Sequence, residues 1–223
     1  MTTFALSPGE VVLRLRAARI IPVIVIDDAN HAVSLARALT GGGLSCVEIT
    51  FRTAQAADAL RRMTDEVPDV FAGAGTVLTP VQAAAARDAG ARFVVAPGFN
   101  PRVVDYCQQH GIPVFPGVAT PTEVERVLET GITTMKFFPA EPIGGLPFLK
   151  AIAAAYGDVD FIPTGGVNAA NVARYLAYSR VVACGGSWMA PSDWIDGRQF
   201  DRIRDEARRA ADIARHASPA VVA

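Results

Sequence analysis

The chain is nearly devoid of lysine. Of its 21 basic residues only Lys136 and Lys150 are lysines, and the rest are arginines. Cysteine and histidine are equally sparse, with three of each. Cys46, Cys107 and Cys184 form an odd set, far apart in apolar or helical patterns, which argues against a disulfide framework and for reduced core residues. His31, His110 and His216 are dispersed without metal-ligand spacing, so neither a metal nor any other cofactor is expected. No apolar run is long and uninterrupted enough to span a bilayer. The stretch Met1–Glu10 lacks the basic and apolar regions of a signal peptide, so a cytoplasmic protein is expected, without a membrane partner. A formal net charge of -1 and the lack of a basic stripe argue against nucleic acid as a partner. The one arginine group, Arg198, Arg202, Arg204, Arg208 and Arg209, is interleaved with Asp201, Asp205 and Glu206 and reads as a solvated helix face.

Apolar residues are plentiful, at 51% of 223 positions, enough to build one large core. Short apolar runs at Ile21–Ile26, Cys46–Thr50, Phe71–Thr76, Phe93–Ala96, Pro113–Val118, Thr133–Phe138, Phe161–Thr164 and Val181–Cys184 read as strands. Amphipathic segments lie between them. Thr79-Pro80, Asn100-Pro101 and Thr120-Pro121 supply an N-cap followed by proline at the first helical position. Gly90, Gly111 and Gly131 stand where those helices should end. Eight β-then-α units without a linker favour a closed parallel barrel. A dinucleotide-binding sheet would want Gly-x-Gly-x-x-Gly after its first strand, where Asp27-Asp28-Ala29-Asn30 stands instead. The expected architecture is a single (β/α)8 TIM barrel over residues 1–223. An extra N-terminal helix, Ser7 to Arg19, caps its bottom, and a terminal helix runs from Gly197 onward.

Lys136 is the residue out of place. It interrupts Thr133-Thr134-Met135-Lys136-Phe137-Phe138, a run that reads as a buried strand. Burying an ammonium is costly unless it loses its proton or finds a partner. Lys150, by contrast, sits where a helix would begin after Gly144-Gly145-Leu146-Pro147 and reads as a surface charge. In barrels of this kind the reacting groups cluster at the C-terminal ends of the strands. Alternation along the second strand puts Val47, Ile49 and Phe51 against the helices and turns Glu48, Thr50 and Arg52 toward the barrel axis. The same parity turns Lys136 and Phe138 inward, so a carboxylate, a guanidinium and an amine are expected to converge. Thr164-Gly165-Gly166 and Gly185-Gly186-Ser187 follow the last two strands, the usual phosphate position of this architecture, with a helix start expected at Asn168.

Seven segments in collinear order carry a family resemblance. They are Val47–Thr53, Gly73–Leu78, Val95–Gly98, Phe115–Thr120, Lys136–Glu141, Pro163–Val167 and Gly185–Trp188. Together they resemble the 2-keto-3-deoxy-6-phosphogluconate (KDPG) aldolases, which also include 4-hydroxy-2-oxoglutarate (KHG) aldolases. The resemblance implies a class I aldolase whose Lys136 forms a Schiff base with the substrate ketone and whose Glu48 moves protons. It implies that Arg52 and Thr76 hold the pyruvyl carboxylate and that Pro97 and Phe138 wall the pocket. Thr164 would line it, and Gly165, Gly166, Gly185, Gly186 and Ser187 would grip the phosphate. The partners so implied are a phosphorylated 2-oxo sugar acid and pyruvate, and the assembly a homotrimer. Arg52 and Thr164 lean toward the gluconate substrate over its galactonate epimer. A sugar-phosphate epimerase would want metal-binding histidines at the strand ends, and a non-catalytic sugar-phosphate-binding barrel would need no buried amine.

Overall fold

The computed structural model describes residues 6–217. Helix α1 (Pro8–Ala18) precedes β1 (Ile20–Ile24), and strands and helices then alternate. They are α2 (Ala32–Gly41), β2 (Cys46–Thr50), α3 (Ala56–Glu66), β3 (Phe71–Gly75), α4 (Pro80–Asp88), β4 (Val94–Val95) and α5 (Pro101–Gln109). The next are β5 (Val114–Phe115), β6 (Gly117–Val118), α6 (Pro121–Leu128), β7 (Thr134–Phe137) and α7 (Gly145–Ala153). The chain continues with β8 (Asp160–Pro163), α8 (Val172–Leu176), β9 (Cys184–Gly186), α9 (Ser192–Asp196) and α10 (Phe200–His216).

All strand pairs are parallel. One sheet runs β5-β4-β3-β2-β1-β9 and a second runs β6-β7-β8. A bridge from Thr164 to Gly185 of β9, and one from Phe161 of β8 to Val181 just ahead of β9, join the second sheet to the first. The two sheets are otherwise divided only by Pro116, which has no N–H to give and splits the predicted Pro113–Val118 strand into β5 and β6. The expected barrel is therefore the observed one, with its fifth strand broken once.

Its interior and exterior follow the alternation of side chains. Val47, Ile49, Met135 and Phe137 pack outward against the helices. Ile21, Cys46, Phe71, Phe93, Val95, Phe115 and Ile162 fill the interior with Val11 and Leu15 of α1. The α1 helix starts with a capping box, in which Ser7 Oγ accepts from the Glu10 N–H and the Glu10 carboxylate accepts from the Ser7 N–H. Arg16 of α1 pairs with Asp160 at the start of β8, so the helix closes the N-terminal end of the barrel as expected. The capping threonines and asparagine of α4, α5 and α6 are those read from the sequence. The three cysteines are free and buried, and burial raises each thiol, Cys107 to about 12, so none is a ready nucleophile at neutral pH.

Three expectations are corrected. The last strand begins at Cys184 rather than Val181, so Gly185 and Gly186 lie within it and only Ser187 begins the loop beyond. Lys150 occupies the last turn of α7, where it is exposed and stands 5.4 Å over the Tyr178 ring. The helix expected at Asn168 begins at Val172 instead. The side chain of Asn171 accepts from the Asn168 N–H at 2.8 Å, turning the intervening residues into a tight loop. No described helix is long and apolar enough to cross a membrane.

Candidate active site

Glu48 stands in the middle of β2 with Val23 of β1 and Gly73 of β3 in register beside it. Lys136 stands in β7 between Gly117 and Ile162. The two are 88 residues apart in the chain, yet Lys136 Nζ donates to Glu48 Oε1 at 3.3 Å across the barrel. Lys136 is 4% exposed and Glu48 2% exposed, so both charges lie in a nearly water-free space. Backbone placement is firm, because the Lys136 N–H donates to Pro116 O at 2.9 Å. The Phe138 ring lies 5.3 Å from Nζ and presents its electron-rich face to the cation.

Glu48 can occupy this position because Gly75 has no side chain. A Cβ on Gly75 would overlap the Glu48 carboxylate. The glycine in a strand here marks a close approach rather than a turn. Thr50, next on the inward face, donates its hydroxyl to Ile24 O at 2.7 Å and accepts from Arg52 Nε at 3.3 Å. Arg52 itself is exposed, so the structure joins Glu48 to Lys136 and brings Arg52 to neither. The reason is that β2 ends at Thr50, so strand alternation no longer governs position 52. Thr76, directly after β3, holds a positive φ of 55°, a conformation that costs a non-glycine residue about 1–3 kcal/mol and tends to collect at functional sites. Pro97 and Phe138 are partly exposed at the same strand ends.

At the ends of β8 and β9, Thr164 is buried and faces Gly185 through a bridge. Gly165 and Gly166 adopt φ of 96° and 80°, and their N–H groups bond to no other backbone group among the described residues. Ser187 is exposed beside them. The arrangement offers an amine nucleophile, a carboxylate within proton-transfer distance, and bare donors farther along the mouth. Sequence reasoning assigned no role to four residues that shape this site. Gly75 gives Glu48 its space, and Trp188 packs its ring on Gly186. Glu141 accepts a hydrogen bond from Tyr175, whose hydroxyl is pushed above the ordinary tyrosine range first by burial and then by that carboxylate. The sequence offered no clear signal for the last pair, since Tyr175 stands in an ordinary mixed segment, Val172-Ala173-Arg174-Tyr175-Leu176. Among the described residues no three His, Cys, Asp or Glu side chains gather as a metal site.

Residues 11–205 match the family model described as KDPG and KHG aldolase. The chain is 52% identical to the 2-dehydro-3-deoxy-phosphogluconate aldolase of Treponema pallidum over 189 residues, covering 85% of this chain and 90% of that protein. It is 42% identical to the KHG/KDPG aldolase of Escherichia coli K12, covering 88% of this chain and 92% of that one. Among solved structures, it is similar to the KDPG aldolase of Legionella pneumophila, in which pyruvate was captured at low pH as a covalent carbinolamine intermediate. The two share 40% identity with a TM-score of 0.86, over 91% of this chain and 97% of that chain.

Proposed function

Because the chain belongs to the KDPG and KHG aldolase family, we propose that it is a class I aldolase that cleaves 2-keto-3-deoxy-6-phosphogluconate to pyruvate and glyceraldehyde 3-phosphate. The observation that carries this reading is the buried Lys136–Glu48 pair at 3.3 Å. Lys136 Nζ attacks the C2 ketone, and the carbinolamine loses water to give an iminium. Glu48 accepts the C4 hydroxyl proton as the C3–C4 bond breaks, and the bonding electrons pass into the iminium to form an enamine. The aldehyde product leaves, the enamine takes a proton at C3, and hydrolysis returns pyruvate and the free amine. Burial supports both roles, since little water competes for the proton or the imine.

Arg52 and Thr76 hold the pyruvyl carboxylate at the mouth, with Pro97 and Phe138 as walls. Arg52 is suited to this because only Thr50 engages its side chain among the described residues, which leaves guanidinium donors for a ligand. Gly165, Gly166, Gly185, Gly186 and Ser187, with Thr164 beneath them, form the phosphate end. 4-Hydroxy-2-oxoglutarate shares the pyruvyl half and is cleaved to pyruvate and glyoxylate by the same groups. The family resemblance also supports a homotrimer. Exposed Leu78 and Val81 offer apolar surface that an assembly would cover, and a sedimentation mass of three chains checks it.

The test is pyruvate release. The wild type is expected to cleave the phosphorylated acid on the order of 10³-fold more efficiently than 2-keto-3-deoxygluconate, since remote phosphate contacts supply several kcal/mol of transition-state binding. Ser187→Asp should lose most of that preference by repelling the dianion. Equal efficiency with both acids would remove the phosphate end from the reading. A second expectation concerns clearance. Gly75→Ala forces the Glu48 carboxylate to move, and a displacement near 1 Å at a reacting group lowers turnover about 10²-fold. Turnover and a circular dichroism spectrum decide it, and normal kcat in a folded variant would refute the role assigned to the Glu48 position.

A further inference from the structure

Outside the lysine and its carboxylate, one polar cluster straps together the two loops on either side of β8. Glu141, in the loop after β7, accepts a hydrogen bond from the Tyr175 hydroxyl of α8. Arg174 stands 4.0 Å from the same carboxylate oxygen. Tyr175 is fully buried. The Gly165-Gly166 loop is trapped between these elements. The Glu141 N–H donates to Gly165 O at 3.0 Å, and the Ala140 N–H donates to Thr164 O at 2.8 Å, so the main-chain ladder continues past the strand ends. A Cβ on Gly166 would sit 2.6 Å from Glu141 Cβ, which leaves the loop no slack on that side. On the other side the Gly166 carbonyl accepts from Asn168 Nδ2 at 3.1 Å and from Asn171 Nδ2 at 3.0 Å.

We propose that Glu141 and Tyr175 are positioning residues for the phosphate end of the substrate, their hydrogen bond tying α8 to the loop after β7 and so holding the Gly165 and Gly166 N–H groups in place. This inference rests on the phosphate reading above and deepens it. The chemistry makes the choice of residues intelligible. A carboxylate beneath an anion site repels the anion unless its charge is taken up, and here Tyr175 and Arg174 face it. Donors held rigid before the ligand arrives bind it without reorganisation, and the hydrogen bond from the fully buried Tyr175 to the half-buried Glu141 is a fixed tie between the two elements.

The experiment uses the reverse reaction, in which pyruvate and glyceraldehyde 3-phosphate have separate KM values. Tyr175→Phe keeps the ring and deletes the tie. It is expected to raise KM for glyceraldehyde 3-phosphate about tenfold, the scale of one lost hydrogen bond, while KM for pyruvate stays within about twofold. Glu141→Gln retains an acceptor oxygen and should remain near wild type, whereas Glu141→Ala should behave like Tyr175→Phe. A parallel rise in both KM values, or no rise in either, overturns the inference. Should Tyr175→Phe fail to fold, the contrast between Glu141→Gln and Glu141→Ala reads the same split. Unphosphorylated glyceraldehyde separates the two layers of the argument. If the wild type does not prefer the phosphorylated aldehyde, the phosphate reading and this inference both fall. If it does and Tyr175→Phe keeps the full preference, only this inference falls.

Discussion

Borohydride reduction in the presence of pyruvate is expected to add one reduced pyruvyl group to the peptide carrying Lys136 and none to the peptide carrying Lys150. Lys136→Arg is expected to abolish both the adduct and KDPG cleavage. The physical difference between the two lysines is their setting. Lys136 is buried beside Glu48 and under Phe138, where an amine can pass its proton to a neighbour and attack a ketone. Lys150 is exposed on α7 over the Tyr178 ring and has no acceptor for that proton among the described contacts. Arginine at position 136 would preserve charge, but a guanidinium stays protonated and cannot form the imine. Intact mass and peptide mapping read the outcome. Modification at Lys150, or turnover by Lys136→Arg above the background of a mock preparation, would sink the Schiff-base mechanism.

Glu48→Gln should lower kcat by about 10²–10⁴-fold, the usual contribution of a positioned acid–base group, with a much smaller change in KM. The amide keeps the shape of the side chain and can still accept from Lys136 Nζ, so binding geometry survives while proton transfer does not. Removing the negative member of a buried ion pair also destabilises the fold, because the ammonium is left uncompensated. A thermal melt must therefore accompany the kinetics. The result that matters is kcat at saturating KDPG in a folded sample. An unchanged kcat would leave Glu48 as no more than the counter-ion of Lys136.

Much of this molecule could be read from its residues in order. Thr79-Pro80, Asn100-Pro101 and Thr120-Pro121 announced three helix starts, because side-chain capping and proline geometry are local effects. The alternation of Cys46, Val47, Glu48, Ile49 and Thr50 sorted inside from outside, because strand side chains strictly alternate. One lysine in a β-branched and aromatic run, in a chain with only one other, singled out Lys136.

The places where local reading failed are those where alternation stops or distant chain decides. Arg52 lies beyond the end of β2, so parity could not place it, and its exposed side chain is held by Thr50 Oγ1 rather than by Glu48 or Lys136. The helix expected at Asn168 was displaced because the Asn171 side chain captures the Asn168 N–H. Gly185-Gly186 looked like a turn after the last strand but pairs within β9 with β1, since parallel pairing depends on a strand far away in sequence. What the residues determined alone was the barrel, its capping helix and the inward placement of Lys136 and Glu48, all consequences of local propensity and two-residue periodicity. Only the tertiary structure decided that the expected convergence closes to a hydrogen bond between Glu48 and Lys136, that Gly75 clears the space for it, and that Tyr175 ties itself to Glu141. Those contacts arise from barrel closure, which brings β2 opposite β7 and sets distances that no pattern along the chain encodes.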